Sequence, residues 1–295
     1  MATKSLKLIR SKPEENKRNL NAFEKAISYI DENYDVRNNI VLNTIEWKPK
    51  NASEYVEFSE HDLFLELQLN NYRISKDSIK SIVLSNRTLK YNPLIEYLEK
   101  LPKWDGKTDY IGLLSNYLSV TETDNFKFIY HIKKWFVRLI RCMIDENYFN
   151  KQMIVFVQEA QNTGKTTFCR WLCPPALSKY FSDTITSNDK DEQIQLSTCF
   201  LILYDELFRM YKDDINKIKS QMSKTSINIR LPYAPRQTEI PRRCSFIGNT
   251  NNAEFLTDPT GSIRFICFEL KSQIDFNYKK DLNIDDIYAQ AYALY

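Results

Sequence analysis

The sequence predicts an α/β protein in which a parallel sheet follows a smaller α+β module. From residue 151 onward, short apolar runs alternate with helical patterns, which is the alternation of a parallel α/β sheet. In the first hundred residues, short alternating strands are mixed with short helical patterns in no regular order. We therefore predict an α+β module over residues 1–100, a helical joint over 101–150 and the α/β domain over 151–295.

Length and composition allow one large domain or two smaller ones. The 295 residues are 43% hydrophobic and 27% charged with a net charge of +3, as in an ordinary globular protein. No apolar stretch has the length of a signal-peptide core or a bilayer span, so we expect a cytoplasmic protein without membrane contact. Six cysteines without a CxxC pair and two histidines favour buried thiols over a disulfide framework or a histidine-based metal site.

The amino-terminal module begins with a basic tail that could gain order on DNA or another partner. An amphipathic helix is predicted over residues 16–34, and two short strands are predicted around Asn43. Two further helices follow over residues 60–72 and 75–86, and Ser75 is the expected N-cap of the second.

The predicted joint begins where two prolines and a turn-rich stretch interrupt the pattern near residue 101. A long helix follows over residues 124–148, with a wide apolar stripe that favours core packing over ligand binding. The α/β domain then shows five strand candidates, over residues 154–157, 199–204, 227–231, 245–248 and 264–268.

A phosphate-binding loop is predicted where the first of these strands meets the next helix. The run "MIVFV" leads through polar residues to Gly164-Lys165-Thr166-Thr167 and a second apolar pattern. In such a loop, backbone N–H groups cradle the phosphates, the lysine neutralises their charge and the hydroxyl joins a magnesium shell. Glu159 stands where the motif has its first glycine, and we expect its side chain to turn outward. The expected nucleotide-binding residues are Asn162, Thr163, Gly164, Lys165, Thr166 and Thr167.

Three further segments carry candidate catalytic groups. Asp205 and Glu206 end the apolar run "CFLILY", where they could hold Mg²⁺ and activate water or simply cap a helix. Asn251 follows the strand "CSFIG" and could orient the attacking water or be an ordinary turn residue. Arg264 follows the turn "DPTG" and could stabilise transition-state charge in its own or a neighbouring subunit, or form a surface salt bridge.

Several motifs in one order resemble the virulence-associated protein E family. They are "LPKWDGK", "NTGKTTFCRWL", "LILYDELF", "RLPYAPRQTEIPRRCSFIGNTN" and "LTDPTGSIRFICFEL", within residues 90–295. The resemblance implies a P-loop NTPase domain of the AAA+ or superfamily 3 helicase type, found in phages, plasmids and genomic islands and often joined to a primase. Such family loops commonly have glycine at Glu159 and Asn162, although asparagine tolerates the left-handed conformation better than most residues.

The resemblance also assigns roles to the candidate residues. Lys165 and Thr166 match the Walker A lysine and hydroxyl, and the Walker B acids match Asp205 and Glu206. Asn251 matches the sensor asparagine, and Arg264 matches the arginine beside the "DPTG" turn.

A basic segment between the acidic pair and Asn251 is the predicted nucleic-acid contact. Ring helicases of the resembled superfamily place a tracking hairpin in or near this part of the chain. Basic residues there would meet phosphates and an aromatic ring could stack on a base, whereas the alternative is an ordinary solvated face. The candidates are Arg230, Tyr233, Arg236, Arg242 and Arg243.

Together these features predict an ATP- and Mg²⁺-dependent helicase or translocase that replicates a phage or mobile element. The expected partners are DNA, in single-stranded form, further copies of the chain in a homo-oligomer or ring, and a separate primase. The alternative is a regulatory or anti-phage module whose P-loop acts as an assembly switch with little or no hydrolysis. A small-molecule kinase is disfavoured by the acidic pair and the asparagine strand.

Overall fold

The chain forms two compact units. The computed structural model describes residues 20–120, 122–183, 189–207, 212–229, 236–252 and 263–295. The units divide between Lys90 and Tyr91, and the short segment Asn39–Asn43 belongs to the second. Residues 101–150, which we predicted as a helical joint, lie in the second unit together with the α/β domain.

The first unit mixes helices with a small sheet. The predicted pair of strands around Asn43 is confirmed, and Asn43 has a φ of 56°. The prediction that Ser75 caps the third helix is also confirmed. The four strands form one sheet in the order β3-β2-β1-β4. The elements are α1 (Ala22–Asn33), β1 (Tyr34–Asn39), β2 (Thr44–Pro49), β3 (Val56–Glu57), α2 (Glu60–Leu69), α3 (Lys76–Val83) and β4 (Leu89–Tyr91).

The second unit begins with α4 (Pro93–Lys100), α5 (Tyr110–Leu113) and α6 (Glu122–Ile144). The elements that follow are β5 (Met153–Val157), α7 (Lys165–Trp171), β6 (Phe181–Ser182), α8 (Asp189–Thr198), β7 (Leu201–Tyr204), α9 (Lys212–Ser223), β8 (Ser226–Ile229), β9 (Thr238–Pro241), β10 (Ser245–Thr250), β11 (Phe265–Glu269), α10 (Tyr278–Asp281) and α11 (Ile284–Leu294). In the described part of the chain, no helix combines the length and apolarity needed to cross a membrane.

A five-stranded parallel sheet forms the centre of the second unit. Its strand order is β11-β5-β10-β7-β6, and every neighbouring pair is parallel. All residues of β5, β7 and β10 are buried, which explains why these strands read as continuous apolar runs. The remaining strand candidate, residues 227–231, lies outside this sheet, because its described part, β8, pairs antiparallel with β9 in a separate two-stranded sheet.

The long helix α6 is part of the sheet's core. Its Trp135 is 1% exposed and donates from the indole nitrogen to the carbonyl oxygen of Phe246 at 2.9 Å. Phe128, near the start of the helix, packs edge-on against Phe268 of β11. The apolar stripe is therefore core, as predicted, and α6 covers one face of the sheet. All six cysteines are free thiols, four of them buried and two partly buried, as expected.

Candidate nucleotide site

The predicted phosphate loop connects β5 to α7 at the carboxyl end of the sheet. Gly164 has a φ of 92° and Asn162 a φ of 56°, so both occupy the left-handed region. Asparagine adopts this region more readily than other non-glycine residues. Asn162 therefore supplies the backbone conformation for which related loops use glycine. Glu159 is exposed, in agreement with the outward orientation that we predicted.

The ammonium group of Lys165 lies inside its own loop. Its side chain is 5% exposed and donates to the carbonyl oxygens of Gln158 at 3.2 Å and Ala160 at 3.1 Å, and to the hydroxyl of Thr163 at 3.1 Å. Burial lowers the pKa of Lys165, and the nearby Asp205 carboxylate opposes that shift. The loop thus surrounds the Lys165 ammonium with oxygen acceptors, and the oxygens of a bound phosphate could take their place.

The predicted hydroxyl and acidic pair meet next to this lysine. The Thr166 hydroxyl donates to the Asp205 carboxylate at 2.9 Å. Both are hard oxygen ligands of the kind that Mg²⁺ prefers, so these two side chains fit a magnesium site. Glu206 has a φ of 54°, which is a strained conformation for glutamate and is typical of functional positions.

An asparagine that the sequence analysis did not select connects these groups. The amide nitrogen of Asn249 donates to the Thr166 hydroxyl at 3.3 Å, and its amide oxygen accepts from the backbone nitrogen of Glu206 at 3.2 Å. Asn249 lies on β10, between the strands that carry the loop and the acids. Asn251, the predicted sensor, follows the end of β10 and is partly exposed. The available signal in the sequence was the position of Asn249 near the end of the same apolar run, two residues before Asn251.

Arg264 lies at the opposite end of the sheet. Its carbonyl oxygen accepts from the backbone nitrogen of Met153, the first residue of β5, at 2.8 Å. The phosphate loop follows the last residue of that strand, Val157, about 13 Å farther along at the usual rise per residue. The guanidinium instead donates to the hydroxyl of Ser223 at 3.1 Å. The prediction that Arg264 acts on its own chain's nucleotide is therefore wrong.

Two of the predicted nucleic-acid contacts are buried. Arg242 is 0% exposed, and Arg243 is 4% exposed and pairs with Glu146 at 2.7 Å. The Arg242 guanidinium stabilises the base of the β8–β9 hairpin by donating to the carbonyl oxygens of Asn150, Met222, Lys224 and Cys244. Neither side chain can reach a phosphate from these positions, so both predictions are wrong.

One of the other candidates lies in the described part of the chain. Arg236 is exposed next to the start of β9. The strands before and after residues 230–235, β8 and β9, pair antiparallel. Arg230 and Tyr233 lie outside the described residues, so their contact with nucleic acid stays a prediction.

A phosphate loop beside acids at the carboxyl edge of a parallel sheet defines an α/β fold of the P-loop NTPase class. Within that class, the family model of the virulence-associated protein E-like domain matches residues 98–295, and the chain belongs to this family. The resemblance noted in the sequence is thereby confirmed.

The fold is also found among solved structures. The apo structure of the NrS-1 C terminal region aligns with 95% of this chain and 70% of its own, with a TM-score of 0.56 and 16% identity. Its A form apo structure aligns with 92% of this chain and 68% of its own, with a TM-score of 0.53 and 15% identity. The comparison with curated proteins gave no match.

Proposed function

We propose that this protein is an ATP-dependent helicase or translocase that acts in replication of a phage or mobile genetic element. The observation that carries the proposal is the 2.9 Å contact between Thr166 and Asp205, with the Lys165 ammonium beside it. In P-loop NTPases, the hydroxyl after the loop lysine and the carboxylate after a neighbouring strand lie together because both serve the magnesium ion of a bound triphosphate. The resemblance of the family to superfamily 3 helicase-like ATPases supports the motor class.

In the proposed reaction, the loop binds the phosphates through its backbone N–H groups and the Lys165 ammonium. The ammonium exchanges its present oxygen acceptors for phosphate oxygens. Thr166 and Asp205 would hold Mg²⁺, which when bound supplies charge neutralisation at the phosphates. Glu206 is the base that accepts a proton from the attacking water, and the Asn249 amide fixes the Glu206 backbone at 3.2 Å. Asn251 lies beyond Asn249 and could orient that water.

DNA and further copies of the chain complete the proposal. We assign single-stranded DNA to the β8–β9 hairpin, through Arg236 and through Arg230 and Tyr233, which lie outside the described residues. We assign Arg264 to the nucleotide of a neighbouring copy in a homo-oligomer or ring. In support, it lines an open basic cavity of about 540 Å³ at the end of the sheet opposite its own loop, with Arg138 and Lys151. Priming is assigned to a separate primase.

A nucleotide-dependent assembly switch is the second candidate. It is favoured by the Lys165 ammonium, whose hydrogen bonds to Gln158, Ala160 and Thr163 must break before phosphate enters. Nucleotide binding would then change the loop conformation, and this change could alter assembly without turnover.

ATP hydrolysis with and without single-stranded DNA tests the proposal. We expect wild type to hydrolyse ATP and to be stimulated by DNA, and Lys165→Ala to lose both binding and turnover. Lys179→Ala, which removes an exposed lysine outside the loop, is the matched control. Nucleotide-dependent assembly without turnover would support the switch. If wild type binds no adenine nucleotide in calorimetry, both candidates fail.

A further inference from the structure

The order of the strands fixes the orientation of a triphosphate bound at the loop. Asp205 follows β7 and Asn249 lies near the end of β10, and both strands are on the same side of β5. Strand β11 is on the other side of β5. In the proposed function, on which this inference rests, the acids act at the terminal phosphate. The nucleoside end of the ligand therefore points toward β11 and the segment that follows it.

That segment packs directly on the phosphate loop. The backbone nitrogen of Ile274 donates to the carbonyl oxygen of Thr163 at 3.0 Å. The Phe276 ring meets Gly164 edge-on, because a β-carbon built on Gly164 would lie 2.8 Å from the ring's Cζ atom. Phe276 is nevertheless 38% exposed. An aromatic ring is thus open to solvent beside the loop, on the side where the base is expected.

The backbone that carries this ring is fixed on its other side as well. The backbone nitrogen of Asp275 donates to the carbonyl oxygen of Tyr117 at 3.0 Å. The backbone nitrogens of Lys271 and Ser272 donate to the carbonyl and hydroxyl oxygens of Ser119, at 3.0 Å and 2.7 Å. Hydrogen bonds on both sides hold the segment in place, so a ligand that uses the ring has little ordering cost.

We propose that Phe276 is the platform on which the base of the bound nucleotide stacks. The ring's edge faces Gly164, and the buried Tyr278 ring lies 6.3 Å from its centroid at an interplanar angle of 35°. The ammonium of Lys279, an exposed side chain, lies 5.3 Å from the ring centroid over one face. A planar base can displace this flexible chain and gain more contact area with the ring. Because every base has a π-face, Phe276 gives the site an affinity for nucleoside triphosphates with only a modest preference for purines.

Binding of Mg·ATP and of Mg·tripolyphosphate to Phe276 variants tests this role. We expect Phe276→Ala and Phe276→Leu to weaken ATP binding about tenfold, a change of about 1.4 kcal/mol, and to leave tripolyphosphate binding unchanged. Phe276→Tyr keeps the ring and should bind ATP like wild type. Tyr292→Ala, at a position exposed to nearly the same degree (37%), is the matched control.

Three results would overturn the platform role. They are unchanged ATP affinity in Phe276→Ala, an equal loss for both ligands, and a wild-type protein that does not quench the fluorescence of bound 2-aminopurine riboside triphosphate. The last measurement needs no variant, so it decides the question even if Phe276→Ala fails to fold. A wild-type protein that binds neither ATP nor tripolyphosphate refutes the proposed function itself. If only the platform role is wrong, the wild-type protein still binds tripolyphosphate.

Discussion

Replacing Asn162 tests whether the phosphate loop is intact despite its missing glycines. Asn162 has a φ of 56°, and alanine at this position costs about 1–2 kcal/mol in the left-handed region. The cost is expressed as lost stability or, if the loop relaxes, as ATP binding weakened about 5- to 30-fold. Glycine removes the strain but increases the entropy of the unfolded chain, so Asn162→Gly should stay within about 1 kcal/mol of wild type.

Replacing Glu159 with glycine is the second test of whether the phosphate loop is intact. Among the described residues, the left-handed non-glycine positions are Asn43, Asn71, Asn162 and Glu206, so the backbone at Glu159 has no need of glycine. Because its side chain is also exposed, Glu159→Gly should change ATP affinity by less than about threefold. Isothermal titration calorimetry measures the ATP affinity of Asn162→Ala, Asn162→Gly and Glu159→Gly, and thermal melts measure their stability. A large gain of binding or hydrolysis in Glu159→Gly would show that the loop is degraded and refute the reasoning.

Three further changes have defined outcomes. Glu206→Gln should lower ATP turnover at least about 100-fold in a phosphate-release assay, and ATP affinity should stay near wild type; equal turnover would exclude Glu206 as the base. Arg242→Ala should cost at least about 3 kcal/mol of unfolding free energy in urea, because buried carbonyls lose a charged donor; the exposed Arg236→Ala should change it by less than about 0.5 kcal/mol, and similar losses would contradict the buried role. The Glu66 carboxylate raises the pKa of Tyr29 from near 10 to about 12. The raised pKa favours the protonated folded form, so this contribution to stability is present below pH 10 and is lost as the pH rises to about 12. Tyr29→Phe should flatten this dependence in circular dichroism melts, and an unchanged profile would refute the assignment.

The sheet could be predicted from the sequence because parallel strands buried on both faces are continuous apolar runs. Four of the five strand candidates lie in it. The fifth, residues 227–231, instead alternates apolar and polar residues, and its described part, β8, pairs antiparallel with β9. Alternation is typical of a strand with one exposed face, so the pattern separates this candidate from the more continuous apolar runs of the sheet, but it does not identify β9 as its partner.

The arginine assignments failed for a related reason. Sequence reasoning treats arginine as a surface residue, because burial of an unpaired guanidinium is expensive. Arg242 is buried among carbonyl oxygens that include those of Lys224 and Asn150, 18 and 92 residues away, and no local pattern encodes such a site. Arg264 was assigned from the turn "DPTG" before it and from the family resemblance. The β11–β5 register, which pairs Phe265 with Met153, puts it at the far edge of the sheet.

In the nucleotide site too, the residue types that bind a ligand could be predicted from the sequence, whereas their spatial neighbours could not. Lys165, Thr166 and Asp205 could be found in the sequence because phosphate and magnesium require a cation, a hydroxyl and a carboxylate after strands. Asn249 contacts Thr166 and Glu206 because β10 lies between β5 and β7. Its role follows from strand order, which the sequence does not specify. Once that order is known, the polar residue near the end of the intervening strand is the one that can couple the phosphate loop to the acids.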